Sequence, residues 1–349
     1  MVLKTYEYRL EPDAQQRLRL ESTLEVCRHL YNNCLAQRRD AWKYEQMSLG
    51  YPTLCRLLPL HKPLAAPIQQ VHSQVLQQTL KRLQKAFDNF FRRSKQGAKE
   101  KGFPRFKSET RFHSFVFPQW DNGVKVVDNR LSLSKIGEIK VGWHRALEGK
   151  PKQCTIKRQG EHWYAFLVCE VEPQPLPETA KSVGIDLGLT DFATFSDDSP
   201  PIPNPRLLRN TEPALINAQQ RVSRRQRNKG KGRQSHRYHR ARRALAKLHR
   251  KVARCRKDFA HKEARKLVNR YDHIGVEDLR IGNMLKNHKV AKSISDAGWG
   301  LFVRLLIEKA EGATNRVVVL VNPQNSTQEC FRCGEIVRKA WSDSAQGVV

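Results

Sequence analysis

The chain has 349 residues, with 64 Lys or Arg against 34 Asp or Glu, a formal net charge of +30. An excess of that size marks a polyanionic partner, nucleic acid above all, and the length suits about two domains with sizeable cores. No apolar run of about eighteen residues and no signal-peptide core occurs, so neither a membrane partner nor a secretory leader is expected, and the chain reads as cytoplasmic.

The opening "KTYEYRLEP" alternates apolar and polar residues and meets Pro12, the pattern of a strand. From residue 13 to about 43 the period becomes helical, with Leu20, Leu24, Cys27, Tyr31, Cys34 and Leu35 on one face. A second helix is predicted over 67–94. Ile68, Val71, Val75, Leu80, Leu83, Phe87, Phe90 and Phe91 form its apolar stripe, while Lys81, Arg82, Lys85, Arg92 and Arg93 make an outer face that could touch phosphate. Such a stripe is core packing. Gly97 to Gly102 punctuates the chain, and "GFPRFKSETRFHSFVFPQ" then mixes aromatic with basic residues. Strand signals dominate from Val124 to Val171 and predict a small β-barrel of hairpins, with the N-terminal strand as its first member and the helical block as an insertion. The Pro-rich "EPQPLPETAK" is a domain boundary.

The second half opens with an apolar strand ending at Asp186, a Gly turn and another strand. A helical region is predicted over 213–271, broken in two by "NKGKGRQ"; then come a strand in "HIGVEDL", a helix over 295–310 and a strand in "RVVVLVNP". These elements build a mixed sheet with helices on its faces. Cysteines 27, 34, 55, 154, 169 and 255 have no motif spacing and read as reduced, mostly buried thiols.

Two patterns carry chemistry. Between Arg221 and Lys257 stand seventeen Lys or Arg and no acidic residue. Solvated helices interleave both signs because like charges one turn apart repel, so this run predicts a track for nucleic acid. Its candidate contacts are Arg221, Arg224, Arg225, Arg227, Lys229, Lys231, Arg233, Arg237 and Arg240. The second pattern is a pair of carboxylates, Asp186 and Glu277, each ending an apolar strand. A carboxylate ending a buried strand is expensive unless paired or metal-bound, and two from one sheet can converge on divalent ions. The alternative is that each caps a turn.

The segments "GIDLGLTDFAT", "IGVEDLRIGNM", "AGWGLFVRLLIEKAE" and "NSTQECFRCG", with "PRFKSETRFHSFVFPQ" and "YNNCLAQRRDAW", resemble the TnpB (OrfB) family of transposon-encoded RNA-guided DNA endonucleases, relatives of the type V CRISPR effectors. The resemblance runs in order over nearly the whole chain. It implies an α/β multidomain protein. Residues 1–12 and 98–175 would be an oligonucleotide-binding wedge β-barrel and 13–97 an inserted helical recognition domain. Residues 181–323, including the basic helix 213–271, would be an RNase H-like (RuvC) nuclease domain, and 324–349 a partial zinc ribbon. Asp186 and Glu277 match two of the family's catalytic, Mg²⁺-binding carboxylates, and the implied partners are a guide RNA and target DNA. Cys330 and Cys333 match half of the ribbon's Zn²⁺ ligands. The second Cys-x-x-Cys and the third catalytic aspartate, in a DRD-x-N-A-A pattern, have no counterpart in "SAQGVV"; Asp343 lies too early, and Asp191 and Asp278 are the first residues to test as substitutes. A half site binds zinc poorly. The resemblance thus implies an RNA-guided DNA-binding protein with impaired Mg²⁺-dependent cleavage, a nuclease-dead RNA-guided binder or repressor, or a non-guided accessory protein of transposition.

Overall fold

Ten residues of alternating pattern form the first strand, β1 (Val2–Glu11), and the chain turns at Pro12 into α1 (Ala14–Glu45). Asp13 caps that helix: its carboxylate accepts from the Gln16 N–H at 2.8 Å, and the Gln16 side chain accepts from the Asp13 N–H at 3.1 Å. The computed structural model describes residues 1–61, 66–226 and 234–323, and the chain divides into two units, Met1–Glu172 and Pro173–Val349.

In the first unit, α2 (Tyr51–His61), α3 (Ala66–Gln69) and α4 (Ser73–Lys95) follow α1. The helix expected over 67–94 is therefore two, interrupted before Ser73, where the α4 N-cap is His72. Six strands come next: β2 (Ser114–Phe117), β3 (Val124–Val127), β4 (Arg130–Leu133), β5 (Gly137–Gly142), β6 (Lys150–Gln159) and β7 (His162–Val171). With β1 they make one antiparallel sheet in the order β2-β6-β7-β1-β5-β4-β3. Its end strands are β2 and β3, so backbone pairing alone does not close the sheet of the expected small β-barrel. A single core joins Tyr6, Tyr8, Ile139, Trp163 and Leu167 of the sheet to Leu20, Cys27 and Tyr31 of α1 and Val75, Leu80 and Leu83 of α4. The six residues singled out on α1 are all buried, as are Val71, Val75, Leu80, Leu83 and Phe87; Phe91, at 50% exposure, is not.

The presumed outer face of α4 divides. Arg82 turns inward, its guanidinium donating to the Ser114 carbonyl at 2.9 Å and lying over the Phe112 ring. Burial pulls its pKa below the ordinary arginine value. Arg93 donates to the Lys101 and Gly102 carbonyls at 2.8 and 3.0 Å. Lys81, Lys85 and Arg92 remain exposed. Cys27, Cys34, Cys154 and Cys169 are buried free thiols, Cys55 is half-buried and Cys255 exposed. Desolvation pushes the Cys27 thiol up to about 11, which keeps it neutral and unreactive.

The second unit contains β8 (Ser182–Asp186), β9 (Asp191–Phe195), β10 (Ile202–Pro203), α5 (Leu207–Arg225), α6 (His236–Arg270), β11 (His273–Glu277), α7 (Ile281–Met284), α8 (Ala291–Ala297), α9 (Trp299–Glu311) and β12 (Val317–Val321). The strands form a mixed sheet in the order β10-β9-β8-β11-β12. β8, β11 and β12 run parallel, while β9 and β10 are antiparallel additions. Val183, Ile185, Ile274 and Val276 bury one face of the two middle strands against Ala264, Leu267 and Val268 of α6 and Phe302 and Leu306 of α9. Phe302 stacks edge-on to Phe192, with ring centroids 5.0 Å apart. The helix expected over 295–310 is again two, divided at Gly298. That residue sits at φ +72°, and a Cβ there would lie 2.8 Å from the Arg256 side chain, so both conformation and space require glycine.

Candidate carboxylate site and basic hairpin

Parallel neighbours end at the same edge of a sheet, and that is how Asp186 and Glu277 meet. Gly184 pairs with Gly275 and Ile185 with Val276, and the next residue on each strand is the carboxylate. Strands in a sheet lie about 4.8 Å apart, so the two carboxylates start from neighbouring points on the same edge. Burial alternates along both strands. Asp186 and Glu277 fall in the more exposed phase with Gly184 and Gly275, opposite the phase that packs on α6 and α9. Asp186 is exposed and Glu277 half-buried, so desolvation does not compel a partner for either, contrary to the expectation for buried strand ends. What brings them together is register.

The turn after Asp186 is made possible by Gly188. A Cβ there would meet the Asp191 carbonyl oxygen at 2.8 Å, and the Gly188 N–H donates to Phe192 O at 3.3 Å. On the other strand, the Asp278 N–H donates to Val321 O at 2.8 Å and prolongs the β11–β12 pairing past Glu277. Glu277 lines an open cleft of about 430 Å³ with Leu187, Leu279, Trp299, Val303 and Ile307 as apolar walls. Asp278, Glu308 and Glu311 also line it, and Arg304, 3.5 Å from Glu308, is the cation among its lining residues. An acidic cleft in a chain of net charge +30 favours cations locally and repels bare phosphate. Among the described residues, no group of three or more His, Cys, Asp or Glu has a metal-holding arrangement, so neither Asp191 nor Asp278 completes such a set with Asp186 and Glu277.

The basic run lies on α5 and α6, which pack side by side; the Arg225 guanidinium reaches the Arg237 carbonyl at 3.5 Å. Arg221, Arg224, Arg225, Arg237 and Arg240 are all exposed. Arg227, Lys229, Lys231 and Arg233 lie outside the described residues, as do Cys330 and Cys333. Arg256 does not belong to the track. It donates to the Asp296 carbonyl at 2.8 Å and to the Asp296 carboxylate at 3.0 Å.

Asp296 was not legible as a site residue, yet it organises the hairpin. It is buried, and its carboxylate accepts from the Leu208 N–H at 2.8 Å and the Arg209 N–H at 3.3 Å. It therefore caps α5 from α8 while it pairs with α6; α5 has no side-chain cap of its own, because its N-cap is Arg206. The segment "AGWGLFVRLLIEKAE" that carried a family resemblance begins one residue after it, and no local pattern announces a cap for a helix far away in sequence.

At the opposite edge of the sheet, a second carboxylate ties strand starts to the linker. Asp272 accepts from the Thr179 hydroxyl at 2.8 Å and the Ala180 N–H at 2.8 Å, and Arg316 pairs with it at 2.9 Å. The Thr179 hydrogen bond is the main cause that holds its carboxyl below the usual range. Nearby, hydrogen bonds from Ser199 and Tyr271 hold Asp197 down to about 2.

Comparison with known proteins bears on both features. A family described as "Probable transposase" (OrfB of IS605) matches residues 166–288, which include both carboxylates and both helices of the hairpin. A "Helix-turn-helix domain" family of the same group matches 1–47, and a "Cas12f1-like, TNB domain" family matches 299–349. Residues 1–47 here form a strand and one 32-residue helix, not a helix–turn–helix. A "Putative RNA-guided DNA endonuclease" of Streptomyces pristinaespiralis is 34% identical over 347 residues, spanning 96% of this chain and 81% of that protein. The "Putative RNA-guided DNA endonuclease InsQ" of Escherichia coli (strain K12) is 28% identical over 357 residues, spanning 97% of this chain and 85% of that protein. A solved Cas12f1–sgRNA–target DNA complex aligns over 96% of this chain and 89% of its own, at 14% identity and a TM-score of 0.34. The chain is an α/β protein that belongs to the OrfB (TnpB) family, whose curated relatives carry the name RNA-guided DNA endonuclease.

Proposed function

We propose that the protein binds DNA under the direction of a guide RNA, and that the edge carrying Asp186 and Glu277 is its RuvC-type phosphodiester-cleaving centre. In this reading the second unit is an RNase H-like nuclease domain, and the antiparallel sheet of the first unit is the wedge. The observation that carries it is the in-register ending of β8 and β11, which sets two carboxylates side by side at one sheet edge. Accessible carboxylates are hard oxygen donors, and that donor set suits Mg²⁺. A divalent ion held by Asp186 and Glu277 would neutralise charge developing on the scissile phosphate. The chain's own residues divide the remaining work. The arginines of α5 and α6 bind phosphate backbone, and the acidic cleft keeps the carboxylate edge clear of unneutralised phosphate. Sequence is read by guide pairing, with the protein recognising heteroduplex shape.

With two carboxylates placed among the described residues, cleavage is expected to be slow. A misplacement of about 1 Å can already cost roughly a hundredfold in rate, so guided binding should outlast cutting. The test is to purify the protein, sequence any co-purifying RNA, and assay matched DNA with Mg²⁺. An RNA of defined sequence and guide-dependent binding are expected, with weak cutting. A protein that purifies free of RNA and binds all nucleic acids alike would instead be a non-guided accessory of transposition. Robust guided cleavage would show that a further ligand joins the pair.

A further inference from the structure

The first unit carries a basic surface that the carboxylate edge and the hairpin do not explain. Residues 88–107 hold seven Lys or Arg against two acidic residues, and three phenylalanines there are left in solvent. Phe91 is 50% exposed, Phe103 47% and Phe106 49%. Exposed aromatic rings grouped within a basic stretch are the composition of an interaction patch, and a partner that is both apolar and anionic fits it.

The rings are held, not loose. Arg93 clamps the Lys101 and Gly102 carbonyls from one side. Gly102 sits at φ +63°, and a Cβ there would come within 2.9 Å of the Arg93 guanidinium. From the other side, Asn32 of α1 makes both hydrogen bonds to the backbone of Lys107, at 2.9 and 2.8 Å. Pro104 between them is buried. The loop is thus pinned at both ends with Phe103 and Phe106 turned outward and Arg105 between them. Phe103 stands edge-on to Phe87 and Phe90, with centroids 5.6 and 5.3 Å away, and Phe90 touches Phe91 at 5.2 Å. Arg39 of α1 lies over Phe106 at 5.7 Å. The result is three half-exposed rings within one basic stretch, Phe91 and Phe103 braced by Phe87 and Phe90 and Phe106 beneath Arg39, with Arg92, Lys95, Lys101 and Arg105 exposed beside them in sequence.

We infer that Phe91, Phe103 and Phe106 form a stacking platform for unpaired nucleobases of a single strand, with the flanking cations on its phosphates. Base faces are apolar and their backbone is anionic, which matches both halves of the patch. Duplex bases are already stacked on one another, so a platform of this kind selects unpaired nucleotides. An apolar protein partner would meet uncompensated positive charge on every side. The inference deepens the nucleic-acid reading above and rests on it only for the presence of a polyanion.

The test uses the full-length protein with 2-aminopurine-labelled oligo-U, oligo-dT and a matched DNA duplex. Binding to either single strand should quench the fluorophore. Phe103→Leu with Phe106→Leu, which keeps apolar bulk and removes the ring faces, should weaken single-strand binding about tenfold or more. The variant should leave the salt dependence of binding unchanged, since no phosphate contact is lost, and should melt close to the parent. Arg105→Ala should instead flatten that dependence. The uracil and thymine arms tell whether RNA or DNA is preferred, and either preference supports the platform. Single-strand binding by the double variant equal to the parent's, or an equal loss on duplex and single strand, would overturn it. Because RNA co-purification is read separately, failure of the platform and failure of the guided reading remain distinct.

Discussion

The two sheets of this protein use the same physics to opposite ends. The antiparallel sheet of the first unit alternates strand direction, so chain ends of both kinds fall on each edge and no set of strand-terminal residues gathers there. Its contribution is a core shared with α1 and α4, while the exposed aromatic and basic patch of this unit lies on α4 and in the loop after it. In the second unit three strands run parallel, and every one delivers its C-terminal residues to one edge. Two carboxylates distant in sequence become neighbours there at no cost beyond pairing itself. A parallel sheet gathers chemistry at a line, whereas an antiparallel one offers area, and the carboxylate edge follows from that; the aromatic patch of the first unit is instead built by α4 and the loop after it.

The largest expected effect separates the edge from the surface. Asp186→Ala or Glu277→Ala should remove any guided cleavage, a loss of a hundredfold or more by the positioning argument, while RNA binding stays at the parent level. Gel assays of cutting and binding on the same preparations would show it; a parallel fall in both would mean the carboxylates act structurally.

Asp296→Ala should come next. It uncaps α5 and leaves the Arg256 guanidinium without its carboxylate. A loss of about 2 kcal/mol in urea unfolding is expected, together with weakened RNA binding because the hairpin loses its anchor. Asp296→Asn, which keeps an acceptor, should recover much of the stability. Equal stability of the alanine variant and the parent would show that the hairpin is held elsewhere.

Removing two exposed cations acts only through phosphate. Arg224→Ala with Arg225→Ala should weaken RNA binding at low salt and reduce the slope of log K against log salt by about one to two. Titrations at several ionic strengths measure that slope, and an unchanged value would take these residues off the track.

Acid should then loosen the second unit. Asp197 lies at about 2, against an ordinary 3.8, through its hydrogen bonds with Ser199 and Tyr271. A carboxyl depressed on folding stabilises above its unfolded value, and that stability is lost as the pH falls from about 4 towards about 2. Asp197→Asn should flatten the urea midpoint across that window; the same acid sensitivity in the variant would assign the effect to Asp272 or another group.

How much could be read beforehand differs between elements and contacts. The periods of α1 and of strands β1, β6 and β7 were plain, because burying one face imposes spacing on the sequence itself. Helix breaks were less so: the divisions before α4 and at Gly298 interrupt apolar stripes that continue on either side. The cations on α4 read alike, yet Arg82 is folded onto Ser114 and Phe112, Arg93 clamps a loop, and Lys81 and Lys85 are exposed. Arg256 sits within the basic run and serves Asp296 instead. Charge type is written in the sequence, but whether a charge meets solvent, a carbonyl or a carboxylate depends on what packs opposite.

By itself the sequence determined the charge excess, the all-basic run, the periods that make strands and helices, and the residue types at positions 186 and 277, because these are properties of composition and local spacing. Tertiary structure alone decided that Asp186 and Glu277 stand side by side and accessible to solvent. It also decided that Asp296 caps a helix far away in the chain, and that Phe103 and Phe106 are pinned outward while Phe87 is buried. The physical reason is that register, burial and hydrogen-bond partners are relations between segments separated by long loops, and a local pattern specifies which face an element hides but not which element covers it.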